Sequence, residues 1–150
     1  MKLQVVWITP RRGDKESAVR ELAEEYTKRL SRFVTIETTS VASEEALLKM
    51  VVSAAGRVPP FVLLLDSRGQ QFTSEEFARL IESHQSRGTQ TLLFAVGPAD
   101  GFSEKALKAA NQLLSFGKMT LPHELARVVL LEQLYRAFTI IRNHPYHGGH

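Results

Sequence analysis

Residues Phe61-Val62-Leu63-Leu64-Leu65 form an unbroken apolar run that stops at Asp66. A strand with one face in water alternates polar and apolar residues, whereas a run apolar at every position has both faces covered. Such a run belongs inside a parallel sheet with helices on both sides. Leu92 to Val96 repeats the pattern. Around these two, strand and helix patterns alternate along the chain. Leu3 to Thr9 reads as a first strand, and Phe33 to Thr39 alternates as a half-buried strand does. Gln112 to Phe116 reads as a short fifth strand. Asp14 is placed to cap a helix from Lys15 to about Arg32, with Ala18, Leu22, Tyr26 and Leu30 at four-residue spacing. Ser43 is placed to cap a helix carrying Ala46, Leu47, Met50 and Val51, closed by Gly56 and Pro59-Pro60. Ser67-Arg68-Gly69 has turn chemistry. Thr73-Ser74-Glu75-Glu76 offers a capping box before a helix with Phe77, Leu80 and Ile81 on one face. Ser103 can start a short helix through Ala110, and His123 to Arg142 reads as a long one. The rhythm predicts one α/β domain over residues 1–150, a mostly parallel sheet with helices on both faces.

Ligands of such sheets lie outside the carboxyl ends of the strands. Three ends carry suitable residues: Leu65-Asp66, Val96-Gly97 and Phe116-Gly117. The turn Gly97-Pro98-Ala99-Asp100-Gly101 lets a ligand approach the main chain, or serves as a plain strand-to-helix turn. It is neither a dinucleotide fingerprint nor a Walker loop, because the spacings of both are absent. The segment Phe116-Gly117-Lys118-Met119-Thr120-Leu121-Pro122 can wrap an adenine with main-chain groups and an apolar wall, or simply connect to the final helix. Asp66 and Asp100 can contact a cofactor amine or ribose, or cap turns.

The final helix is apolar on more than one stripe. Val128, Val129, Leu130, Leu131, Leu134, Tyr135, Ala137, Phe138, Ile140 and Ile141 need cover. A second subunit supplies it in one reading; a central position within a monomer supplies it in the other. Beyond the helix, Arg142, His144, Tyr146, His147 and His150 form a polar, aromatic tail. It can stack on a base or help a proton leave, or be a solvated terminus. No carboxylate or cysteine joins these histidines locally, so no metal site is expected.

Composition narrows the setting. With no cysteine, disulfides and thiolate metal sites are excluded, and a reducing cytoplasm is the expected compartment. The N-terminal apolar run is too short for a signal peptide. No stretch approaches the roughly 20 apolar residues that span a bilayer. The charge of +3, from 19 basic and 16 acidic residues, is a mild bias that permits nucleic acid without demanding it.

Four segments then act together: Gly97 to Gly101, Leu114 to His123, Arg127 to Ala137, and Asn143-His144-Pro145-Tyr146-His147. In order and spacing they resemble the RlmH family, the ribosomal large-subunit pseudouridine N3-methyltransferases of the SPOUT class. The resemblance implies a C-terminal trefoil knot, S-adenosylmethionine as cofactor, a homodimer, and a pseudouridine of 23S ribosomal RNA in assembled 70S ribosomes as substrate. It implies cofactor contacts at Leu65, Gly97, Phe116, Gly117, Lys118, Met119, Thr120 and Leu121. Catalytic candidates are Arg142, His144, Tyr146 and His147, with His123 and Arg127 placed to orient RNA. The chain departs from the family in having Gly97-Pro98 where paired glycines are usual, in lacking an early glycine near Thr9-Pro10, and in ending Gly148-Gly149-His150. Two rivals remain: a SPOUT enzyme acting on transfer RNA, and a catalytically silent ribosome-binding factor on the same fold.

Overall fold

A computed structural model describes residues 1–9, 17–53, 57–98 and 100–149. The expected cap at Asp14, the helix start at Lys15, and Pro10, Gly56, Ala99 and His150 lie outside the described residues. Five strands, β1 (Lys2–Ile8), β2 (Thr35–Val41), β3 (Phe61–Gln71), β4 (Thr91–Val96) and β5 (Gln112–Ser115), form one sheet in the order β2-β1-β4-β3-β5. Every neighbouring pair is parallel. The helices are α1 (Ser17–Leu30), α2 (Glu44–Val52), α3 (Ser74–Ser86), α4 (Glu104–Ala109) and α5 (His123–Ile141), followed by a single 3-10 segment at Pro145–Gly149.

Alternation along the strands decides which helix each residue meets. Leu3 and Val5, Leu63, and Leu92, Phe94 and Val96 face the core shared with α1, α3 and α5. Val6 and Ile8, Val62 and Leu64, and Leu93 and Ala95 face the opposite core beneath α2 and α4. The central strands β3 and β4 are thus apolar on both faces, as their sequences require. The predicted caps form as expected. Ser43 and Ser103 accept from the amides of Ala46 and Ala106, and Thr73 and Glu76 make a reciprocal capping box.

Three expectations are corrected. Phe33 does not belong to β2. The chain leaving α1 makes a further tight turn, with the amides of Phe33 and Val34 both donating to the Leu30 carbonyl, so the strand begins at Thr35. β2 is also an exposed edge strand and not a half-buried one, because it pairs only with β1. Ser67-Arg68-Gly69 does not end β3. Pairing with β5 breaks between Leu65 and Gln70 and then resumes, so the turn residues become an irregularity inside a longer strand. There Asp66 Oδ1 accepts from the Arg68 amide at 2.9 Å.

The final helix follows the second of its two readings. α5 lies between α1 and α3 over the sheet, and Leu130, Leu131, Leu134, Ala137 and Phe138 are all but inaccessible within one chain. Most of its apolar excess is covered inside the domain, while Val129, Ile140 and Ile141 stay partly exposed.

One buried titratable group has a testable consequence. His84 on α3 is 1% exposed, 4.4 Å from the Phe61 ring, with Nδ1 2.9 Å from Thr89 Oγ1. Burial, and then the charge of Arg87, hold its pKa below the ordinary 6.5. Below pH 6.5 the unfolded chain therefore binds a proton that the folded chain refuses. Stability is full above that value and falls as pH drops, by up to about 1.4 kcal/mol per unit, until His84 protonates in the fold. Urea unfolding from pH 7.5 to 5.5 should show a shallower pH slope for His84→Gln than for the native chain. Equal slopes would remove His84 as the source.

Candidate functional site

Because β4, β3 and β5 are neighbours, their carboxyl ends stand side by side. The loops leaving them enclose a cleft of about 320 Å³. Of the eight expected cofactor contacts, Leu65, Gly97, Phe116, Gly117, Met119, Thr120 and Leu121 line it. Lys118 does not. Its side chain is exposed and does not line the cleft.

Local chemistry explains the loop. Gly117 has φ +126, where an L side chain would be strained, and its amide donates to Ser115 Oγ at 3.1 Å. The Ser115 hydroxyl in turn donates to the Gly117 carbonyl at 3.1 Å, and Ser115 is nearly buried. Beyond this knuckle, among the described residues, no hydrogen bond uses the amides of Lys118, Met119, Thr120 or Leu121. Four main-chain donors are therefore left for a ligand. The second turn is closed by Gly101, whose amide donates to the Pro98 carbonyl at 2.9 Å while Gly101 takes φ +83. Proline at 98 serves as the acceptor in this turn, so its missing donor costs the turn nothing. Gly97 is needed for packing as much as for access. A Cβ there would sit 2.9 Å from the Phe102 ring.

The cleft also has a charged wall. Asp66 lines it with a side chain only 7% exposed, and Arg68 meets both of its oxygens, at 2.9 and 3.1 Å. Arg68 reaches on to Glu104 at 3.2 Å. The Arg68 guanidinium holds the Asp66 carboxyl below its usual range, against the opposing effect of burial. Asp66 is thus a fixed anion suited to a cationic or hydroxyl group of a ligand, and a poor general base. Asp100 also lines the cleft but is exposed.

His123 lines the cleft, 3.4 Å from Glu124. Arg127, one turn on, is placed otherwise than expected. It is 3% exposed, and its guanidinium lies 4.2 Å over the Trp7 ring. That is an interior cation–π contact holding α5 to β1, withdrawn from any surface that RNA could reach.

The tail is not brought to this cleft. Asn143 takes φ +54, a left-handed conformation that asparagine tolerates, and reverses the chain after α5. Pro145–Gly149 then runs back along α5. The Tyr146 ring packs edge-on to Tyr135 at 4.7 Å and beneath Arg136 at 5.1 Å, and its hydroxyl donates to Glu132 at 3.1 Å. Glu132 also accepts from Arg136 at 2.6 Å and from Gln133 at 2.7 Å. Burial first, then hydrogen bonding to Tyr26 and the neighbouring Glu132, raises the Tyr146 phenol far above its ordinary pKa. As placed, it donates and cannot act as a base near neutral pH. His144 is exposed, and its Nδ1 accepts from the Tyr146 amide at 3.2 Å. His147 Nδ1 is buried without a hydrogen-bond partner among the described residues. About 24 Å of helix separates Ala126, on the cleft wall, from Arg142.

Sequence reasoning missed Arg68, Glu132 and the Trp7–Arg127 contact. Glu132 and Arg136 are legible as an i,i+4 pair. The link to Tyr146 needs the chain reversal at Asn143, which leaves no local pattern. Among the described residues, no group of three or more His, Cys, Asp or Glu is arranged to hold a metal, and no helix is long and apolar enough to cross a membrane.

Parallel strands, a cleft at their carboxyl ends and an irregular β5–α5 loop with free amides define an α/β domain that binds a small ligand on its strand-end loops. The family model described as "Predicted SPOUT methyltransferase" matches residues 1–147, and the chain belongs to the SPOUT methyltransferase family. It is 57% identical over 150 residues, all of both chains, to a protein of Koribacter versatilis named Ribosomal RNA large subunit methyltransferase H. In fold it is similar to a probable methylase family protein from Haemophilus influenzae. The TM-score is 0.57 at 14% identity, covering 97% of this chain and 69% of that one. It is also similar to the SpoU methyltransferase AviRb of Streptomyces viridochromogenes, solved with the cofactor AdoMet. There the TM-score is 0.52 at 14% identity, over 95% of this chain and 61% of that one.

Proposed function

We propose that this protein transfers the methyl group of S-adenosylmethionine to N3 of a pseudouridine in 23S ribosomal RNA, acting as a cytoplasmic homodimer on assembled 70S ribosomes. The carrying observation is the three-loop cleft with its unused amides, in a chain 57% identical end to end to a ribosomal RNA large subunit methyltransferase H. The trefoil threading implied by the resemblance is part of the same reading.

The cleft fits such a cofactor. It has nucleoside size, main-chain donors at positions 118–121, an apolar rim of Leu65, Phe116, Met119 and Leu121, and the fixed anion Asp66. When bound, S-adenosylmethionine supplies an already activated methyl group, so the protein's task is alignment. Loss of the N3 proton needs an acceptor. His147, an imidazole that is only partly buried, suits that role better than Tyr146, whose hydroxyl already donates to Glu132. Arg142 is exposed at the end of α5 and suits stabilisation of charge on the ring oxygens. His123 orients RNA at the cleft.

The homodimer is supported by the placement of the tail. None of Arg142, His144, Tyr146 or His147 lines that chain's own cleft, so a complete site takes the tail of a second copy. Phe116, Met119 and Leu125 are exposed around the cleft end of α5 and offer that copy an apolar surface.

The test is methylation of 70S ribosomes lacking the modification, read by mass spectrometry of the modified stem-loop, beside calorimetry with S-adenosylmethionine. One added methyl on the pseudouridine is expected. Methylation of free transfer RNA with ribosomes left untouched would overturn the substrate. Absence of cofactor binding would identify a silent ribosome-binding factor.

A further inference from the structure

The ends of α1 and α5 meet on one surface. Phe33, just past α1, lies 6.4 Å from the Phe138 ring and 6.2 Å, edge-on, from His144. Arg29 covers Tyr26 at 5.5 Å and Tyr135 at 5.7 Å. Two cations here are already neutralised: Arg29 by Glu25 at 2.8 Å and Arg136 by Glu132 at 2.6 Å. Two are not. Arg32, next to Phe33, and Arg142, two residues before His144, are exposed and make no ion pair with any described residue.

Cations that only offset a helix's terminal carbonyls need no aromatic floor and no partner on a second helix. Here an exposed, unneutralised guanidinium at each helix end stands within two residues of the ring pair, Phe33 and His144, that joins the two ends. Guanidinium matches phosphate in charge and in its fork of donors. An exposed ring beside such a group suits an unstacked base of an RNA loop. The whole chain carries only +3, so RNA affinity must come from a local face of this kind.

We propose that the joined ends of α1 and α5 are an RNA-docking face, in which Arg32 holds a backbone phosphate next to a base stacked on His144. This rests on the ribosomal substrate proposed above. It adds α1, through Arg32, to the recognition surface. Neither Arg32 nor His144 lines the cleft of its own chain, so RNA held there is presented to the cleft of the second copy.

Arg32→Glu and Arg32→Lys test it in the full chain with 70S ribosomes. Arg32→Glu should raise the KM for ribosomes about tenfold or more, with kcat and S-adenosylmethionine affinity unchanged. Arg32→Lys should retain most of the affinity. Arg32→Ala should lower the slope of log KM against log salt by about one. Matching thermal melts show that the variants fold; should Arg32→Glu fail to fold, Arg32→Ala carries the test alone. A native-like KM and salt slope in the charge-removed variant would overturn the proposal. So would a fall in kcat at constant KM, which would make Arg32 a prop for the tail. Sedimentation of native and variant protein with 70S ribosomes separates the two readings. If the native chain pellets but does not methylate, the enzymatic reading fails. If native and Arg32→Glu pellet alike, the docking face fails.

Discussion

Deleting residues 143–150 is expected to lower methyl transfer to 70S ribosomes by at least about a thousandfold, while cofactor binding stays nearly intact. A general acid–base group contributes roughly 10²–10⁴ in rate, and the deletion takes the proposed acceptor His147 together with the RNA-contacting His144. The cleft residues on the loops after β3, β4 and β5 make none of the tail's contacts, so calorimetry with S-adenosylmethionine should be little changed. The fold should survive. The deletion removes the Tyr146 ring from Tyr135 and one hydrogen bond to Glu132, a cost of about 1–3 kcal/mol, and leaves the Arg136–Glu132 pair in place. Single-turnover methylation and urea unfolding on the same preparation separate the two effects. Turnover equal to that of the full chain would remove the tail from the mechanism. In a mixed population, tail-deleted subunits should regain activity from copies whose cleft is blocked but whose tail is intact, because no tail residue lines the cleft of its own chain.

Gly69→Ala is expected to cost about 3 kcal/mol or more and to weaken cofactor binding at least about tenfold. An added Cβ would lie 2.5 Å from the Leu113 carbonyl carbon, 2.6 Å from the Leu114 nitrogen and 2.7 Å from the Leu113 oxygen. These are main-chain atoms and cannot rotate aside. β5 would have to move off β3, and Leu114, Ser115 and Phe116, which wall the cleft, would move with it. Gly88→Ala is the control. Gly88 takes φ +79 with open space around it, so its substitution strains the backbone without touching the cleft. Urea unfolding should register both substitutions, and calorimetry only the first. Native-like cofactor affinity in folded Gly69→Ala would show that the cleft does not depend on this crossing.

Much of this was legible along the chain. The apolar runs at Phe61–Leu65 and Leu92–Val96 predicted central parallel strands, and both are buried on two faces. Ser43, Thr73 and Ser103 predicted helix starts, since a cap acts on amides two or three residues away. Seven of the eight expected cofactor contacts line one cleft, because loops at strand ends are set by element order once the strands are parallel. What was not legible shares a cause. The side chains of Lys118, Arg127 and Tyr146 go to solvent, to Trp7 and to Glu132. A segment's periodicity places its backbone and says little about which distant residue a long side chain meets.

The apolar excess of α5 shows where the division falls. Sequence alone determined the α/β class, the number and order of the elements, and the three strand ends that make the site, because periodicity, caps and turn residues act over a few positions. Only the tertiary structure decided that β4 and β5 flank β3, that α1 and α3 cover α5, and that Asn143 turns the tail back along α5 onto Tyr135 and Glu132. Those outcomes depend on contacts between residues far apart in the chain, and their energies are settled only when the whole core packs at once.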